Sequence, residues 1–144
     1  MDRDDANHLT AVNLDRLMRR FGSGLHERSR AIDIDRLGPN GGMTLVTLSD
    51  IEPVATKDLV AHMCRDKSQM TKTLRQLEAL GLVQRSPSSK DGRVMIVSLT
   101  EEGRQRVQRI RLTMSEVVNE LLAPLSERER AQLAEILKRV QLNG

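Results

Sequence analysis

The segment DKSQMTKTLRQLEALG, residues 66–81, constrains the fold more than any other part of this chain. Met70, Leu74, Leu77 and Leu80 recur at helical spacing, so one face has to be buried against neighbouring elements. Asp66 followed three residues later by Gln69 has the form of a capping box, and Gly81 provides a residue suited to the left-handed turn that ends a helix. A helix of about 14 residues is predicted, roughly 67–80. Opposite its apolar stripe stand Ser68, Gln69, Thr71, Lys72, Arg75 and Gln76, which are hydrogen-bonding groups and two cations with no acid among them. The nearest acid on this helix, Glu78, comes late.

The sequence on either side fixes what this helix packs with. Leu82–Arg85 and Arg93–Leu99 have strand character and are joined by SPSSKDG, a hairpin loop by composition, so a wing of two strands is expected over about 82–99. Its cationic tip, Lys90-Asp91-Gly92-Arg93, precedes a strongly apolar run, Val94-Met95-Ile96-Val97, that anchors the hairpin to a core while Gly92 permits a tight turn. Thr100 is placed to cap a helix of about 22 residues, roughly 33 Å long. Ser126 with Glu129 forms a second capping box, opening a last helix whose Leu133, Ile136, Leu137 and Val140 share a face. Upstream, a long helix is expected from residue 7 to about 34, with Gly22 and Gly24 weakening its middle, and LGPNGG breaks the chain after it. A short helix follows from Met43 to about Asp50, Pro53 ends it, and Thr56 is positioned to cap a third, KDLVAHM.

Composition excludes several classes. At 144 residues the chain is one domain's worth, with 43–99 as its central core, flanked by helices at 7–36 and 100–142. No apolar run nears the roughly 18 residues of a membrane span and the N-terminus has no signal-peptide core, so a soluble cytoplasmic protein is expected. A single cysteine, Cys64, and three histidines in no ligand spacing argue against a metal site or another cofactor. Nucleophile, base and orienting acid fall into no catalytic spacing, and there is no glycine-rich phosphate loop, so no enzyme is expected. Phe21 is the only aromatic residue, which removes the stacking platforms of single-strand binders. The net charge is +3, and its positive excess lies in residues 57–93, where eight Lys and Arg face four acids.

Two short helices joined by a tight turn, the second with a cationic, acid-free face, are the sequence form of a helix-turn-helix, and a hairpin directly after them makes the winged variety. The fold class expected is mainly α with a small β-hairpin. In that arrangement Lys57, Lys67, Lys72 and Lys90 are placed for phosphates, Ser68, Gln69, Thr71 and Arg75 face a major groove, and Arg93 projects from the wing with Asp91 orienting it through a carboxylate pairing. The helices at both ends carry more apolar stripe than a winged domain of about 60 residues can cover, so a second copy is the natural partner.

The run from DLVAHM through LEALGLVQR to the D-x-R of the wing and VMIVSLTEEGR resembles the MarR (multiple antibiotic resistance regulator) family of winged helix-turn-helix transcription factors, most strongly over residues 56–106. The resemblance implies a homodimer built from the first and last helices, two recognition helices about one DNA turn apart, and a repressor of a pseudo-palindromic double-stranded operator released by a small-molecule effector. Arg93 takes the place of the family's wing arginine. Two positions differ from the family pattern: Gly41-Gly42-Met43 stands where a bulky aromatic is usual, and Cys64 holds a turn position often occupied by glycine. With Arg65 and Lys67 beside it, Cys64 is a candidate redox thiol as well as a small turn residue. The rival reading is a winged-helix module that binds protein rather than DNA; acids on the second helix or wing tip would favour it.

Overall fold

The computed structural model of the chain describes residues 1–28, 34–37 and 40–142. They form two compact units, one from Met1–Leu25 with Met114–Gly144 and the other from His26–Thr113.

The first unit contains α1 (Arg3–Glu27), the end of α5 (Glu101–Leu121) and α6 (Glu127–Leu142). The helix α1 begins earlier than its apolar spacing suggested, because Asp2 Oδ1 accepts the Asp5 N–H at 2.8 Å and Asp4 and Asp5 sit at the positive end of the helix dipole. It stops at Glu27, and Ile34–Leu37 is a separate 3-10 turn, so the continuous helix expected to about residue 34 is not formed. The apolar repeat that would extend it ends at Leu25. Residues 29–33 and the Gly38-Pro39 breaker lie outside the described residues. The capping box of α6 is complete: Glu129 Oε2 accepts the Ser126 N–H at 2.8 Å and Ser126 Oγ accepts the Glu129 N–H at 3.2 Å. Leu9, Leu14 and Met18 of α1 and Ile136, Leu137 and Val140 of α6 stand exposed.

The second unit is a winged helix-turn-helix. Its helices are α2 (Gly41–Ile51), α3 (Thr56–Met63) and α4 (Lys67–Ala79), followed by the first part of α5. Leu45, Leu48, Leu59, Met70, Leu74 and Leu77 are fully buried. The sheet has three antiparallel strands, not the two of the hairpin expected: β1 (Val54–Ala55), between Pro53 and Thr56 where no strand was expected, pairs with β3 (Met95–Leu99), which also pairs with β2 (Val83–Pro87). The register sets Val54 opposite Val97 and Val83 opposite Leu99. Pro87, which has no N–H to give, is tolerated because β2 is an edge strand.

Two sets of contacts hold the first part of α5 within this unit. Glu52 Oε1 accepts from Arg104 at 2.7 Å and from the Leu99 N–H at 3.3 Å, while Arg111 reaches Asp50 at 2.6 Å and Ser49 at 2.8 Å. The second set is a corner between α4 and β2. Thr100 Oγ1 accepts the Gly103 N–H at 3.0 Å, making it the N-cap that the sequence predicts, and donates to the Gly81 carbonyl at 2.6 Å. The Thr100 N–H in turn donates to the Leu82 carbonyl at 3.1 Å. Gly103 is buried so close to that carbonyl that no side chain fits between them.

Candidate nucleic-acid interface

The helix α4 opens on Asp66, whose carboxylate accepts the Ser68 N–H at 3.0 Å and the Ser68 hydroxyl at 2.8 Å. The cap therefore engages Ser68 and not the Gln69 of the capping box that the sequence suggested. The hydroxyl of Ser68, and then its N–H, hold the Asp66 carboxyl below the usual carboxylate range. A folded-state pKa below the unfolded one means that this cap stabilises above the ordinary carboxylate range and is lost as pH falls through the lower, folded value. Urea midpoints measured from about pH 6 to about pH 2 should fall more steeply for the native chain than for Asp66→Asn, which keeps a capping oxygen but cannot titrate. Parallel curves would show that the charge of the capping carboxylate contributes nothing.

At its other end α4 closes with a Schellman motif. Gly81, at φ +73°, donates to the Glu78 carbonyl at 2.9 Å, and Leu82 donates to that of Leu77 at 3.0 Å. Between these caps the side chains sort cleanly. Met70, Thr73, Leu74 and Leu77 are buried, and Lys67, Ser68, Gln69, Lys72, Arg75 and Gln76 are exposed. Two of the polar groups are already engaged: the half-buried Thr71 donates its hydroxyl to the Lys67 carbonyl at 2.9 Å, and the Gln76 amide donates to the Arg36 carbonyl at 2.7 Å. Gln76 therefore ties α4 to the 3-10 turn.

The turn before α4 is made by Cys64, which sits in the left-handed region at φ 50°, ψ 38° and is exposed. That conformation explains why glycine suits the position. Thr56 is not the cap of α3 that the sequence suggested: the helix starts at Thr56 itself, and its hydroxyl donates to the Met95 carbonyl at 3.3 Å, joining α3 to the wing.

The wing tip is a hydrogen-bonded turn. Val94 N–H donates to the Asp91 carbonyl at 3.0 Å, and the Ser88 N–H donates to that of Val94 at 2.7 Å. The Asp91 carboxylate takes the Arg93 N–H at 3.1 Å, giving the Asx arrangement favoured at such turns, and holds the Arg93 guanidinium through Nε at 3.1 Å and a terminal nitrogen at 3.3 Å. The guanidinium of Arg93, and then its N–H, lower the Asp91 pKa. Arg93 is nonetheless 91% exposed, a cation held in place with its outer edge free. Gly92 does not have the backbone role expected of it: its φ is not in the left-handed region, and a Cβ there would meet nothing within 4 Å.

The charges of residues 57–93 are now distributed. Glu78 is taken by Arg85 at 2.7 Å, Asp91 by Arg93 and Asp66 by Ser68, which leaves Asp58 as the one acid of this stretch without such a bond. Among the described residues Lys57, Arg65, Lys67, Lys72, Arg75 and Lys90 carry no carboxylate partner. Two hollows gather most of the residues read from the sequence. A groove of about 410 Å³ between α3, α4 and the wing is lined by Lys57, Lys67, Thr71 and Arg93 over an apolar floor that includes Val60 and Met95. A shallower concavity of about 600 Å³ runs along α4 past Asp66, Lys67, Ser68, Thr71, Lys72 and Arg75. Gln69, Lys90 and Cys64 are exposed but line neither. Thr56, Val60 and Met95 line the groove without having been read as site residues; the only local trace is the i, i+4 spacing of Thr56 and Val60 on one helix face.

Helix-turn-helix, three-stranded wing and flanking helices together define a winged helix protein. Over residues 39–95 the chain matches the model of the MarR family. It is similar to the uncharacterized HTH-type transcriptional regulator YdgJ of Bacillus subtilis (strain 168), 31% identical over 99 residues that make up 69% of this chain and 60% of the relative. The chain thus spans less than two thirds of that relative's length. Among solved structures it resembles a probable transcriptional regulator from Pseudomonas aeruginosa, with TM-score 0.72 and 25% identity over 91% of this chain and 96% of the other. It has the same fold as a mutant MarR from E. coli complexed with operator DNA, with TM-score 0.78 and 21% identity over 97% and 99% of the two chains. Among the described residues no helix is long and apolar enough to cross a membrane, and no group of three or more His, Cys, Asp or Glu is placed to hold a metal ion.

Proposed function

We propose that the chain is a sequence-specific, double-stranded DNA-binding transcriptional regulator. The observation that carries this reading is the sorting of charge: the acids on α4, at its cap and at the wing tip are each engaged by a neighbour, while the lysines and Arg75 around them are left unpaired. Such a surface suits a polyanion better than an acidic or apolar protein partner. In this reading α4 enters the major groove. Lys57, Lys67, Lys72 and Lys90 neutralise phosphates, Ser68, Gln69, Thr71 and Arg75 face the bases, and Arg93, steadied by Asp91, enters the neighbouring groove or grips its backbone.

The apolar residues exposed on α1 and α6 support a homodimer, which would offer one α4 to each half of a pseudo-palindromic site. Repression relieved by a small effector is the regulatory form that the family likeness suggests, and a cytoplasmic location goes with that reading. Cys64, exposed in its left-handed turn, is the residue to alkylate if redox control is sought; DNA binding unchanged by alkylation would remove it from the mechanism.

Fluorescence anisotropy against duplexes selected from a random pool tests the whole reading. A palindromic consensus should emerge, with an affinity that falls steeply with salt, by a slope of about 0.9 for each phosphate neutralised. Arg93→Ala is expected to weaken binding by about 1–3 kcal/mol. No enrichment over random duplex, or a dissociation constant indifferent to Arg93, would turn the search toward a protein partner.

A further inference from the structure

We propose that Arg75 reads a guanine in each half-site, and that the Glu78–Arg85 pair is the device that leaves Arg75 free to do so. The proposal rests on the DNA-binding reading above and deepens it. Arg75 stands at one end of the concavity on α4 that also holds Ser68, Thr71 and Lys72. It is exposed and has neither a carboxylate nor a carbonyl partner among the described residues. Glu78 lies three residues further along the same helix, a spacing at which an acid and an arginine are within reach of each other.

The reason they do not pair is Arg85. From β2 it reaches back to α4 and takes Glu78 Oε2 with both Nε, at 2.8 Å, and a terminal nitrogen, at 2.7 Å. Arg85 is itself largely covered, its side chain 23% exposed, so it is the better-fixed competitor for that carboxylate. The acid that would otherwise hold Arg75 against the helix is thereby drawn off toward the wing. Asp66 at the opposite end of the concavity is likewise occupied by Ser68. What remains is a guanidinium fork on a face with no free acid to compete for it. Guanine, with O6 and N7 on one edge in the major groove, is the base whose acceptors match that fork in pairs. Lysine, a single point donor, cannot replace it in that role.

The test is selection of binding sites from a random duplex pool by the full-length protein and four variants. The native chain should select a guanine at one position of each half-site, discriminated about 5- to 150-fold over other bases. Arg75→Lys should flatten that position alone and leave the salt slope unchanged. Arg85→Gln releases Glu78 onto Arg75 and should flatten the same position, whereas Glu78→Gln alone and the double variant Glu78→Gln/Arg85→Gln should keep the guanine. Restoration by the double variant is something a merely structural role for Arg85 would not produce. Should Arg85→Gln fail to fold, 7-deazaguanine at that position in the native chain's site, which removes N7, must still weaken binding. An unchanged profile for Arg75→Lys, or no penalty from 7-deazaguanine, overturns the guanine assignment. Retention of the guanine by a folded Arg85→Gln overturns the role of the pair. Failure of the native chain to select any consensus overturns the DNA-binding reading itself, and is thereby distinguishable from both.

Discussion

Gly103→Ala is expected to destabilise the chain by about 3 kcal/mol, at the upper end of what an overpacked site costs. In an ordinary helix the same change would stabilise by up to about 1 kcal/mol, because glycine is the more flexible residue in the unfolded chain and the poorer helix former. Here the added methyl would collide with the Leu82 carbonyl oxygen, which is backbone and cannot rotate away. That oxygen also accepts the Thr100 N–H at 3.1 Å, and the Thr100 hydroxyl holds Gly81. Relief of the clash has to move either the first turn of α5 or the corner that joins α4 to the wing. A urea titration with unchanged slope and a lower midpoint would bear this out, while a midpoint equal to or above that of the native chain would show that the corner yields freely.

Leu77→Ala is expected to cost about 2–5 kcal/mol, the range for a large-to-small change at a site that cannot collapse. Leu77 is fully buried under α4 and packs over the first turn of α2 at Gly41. The elements around it are fixed from other directions: Gln76 holds the 3-10 turn, and the Schellman motif that ends α4 uses the Leu77 carbonyl itself. The cavity would therefore stay open. Against the roughly 5–15 kcal/mol that holds a domain of this kind together, such a loss should appear as a large fall in the thermal midpoint. A shift no larger than that of an exposed control such as Gln84→Ala would mean that the α2–α4 contact closes over the gap.

The parts of this fold that were legible in the sequence are those written within a few residues. Gly81, Thr100 and the Ser126–Glu129 box each announce a helix end through a hydrogen bond that spans three to five positions, and each is made. The two-residue β1 was not legible, since Val54 and Ala55 become a strand only by meeting Val97 and Ile96 far along the chain. For the same reason Thr56 was misread as a cap and the tie made by Gln76 was not foreseen. Their side chains bond Met95 and Arg36, distant in sequence, where a local rule supplies a cap or a solvated polar face. At the candidate site the cationic face could be read from the spacing of residues 67–76. The competition of Arg85 and Arg75 for Glu78 could not, because helical spacing favours the wrong arginine and only the return of β2 beside α4 decides it.

The interleaving along α4 bears on how such a protein changes over generations. Met70, Thr73, Leu74 and Leu77 hold the helix down, while Gln69, Lys72 and Arg75 stand in the gaps between them, all exposed. Substitutions on an exposed face of this kind usually alter stability by less than about 0.5 kcal/mol. Under the proposed function, the residues that choose a sequence and the residues that keep the chain folded are thus inherited as separable traits. After a gene duplication, one copy can acquire a new set of target sites through a handful of surface changes, and selection need not first repair the fold.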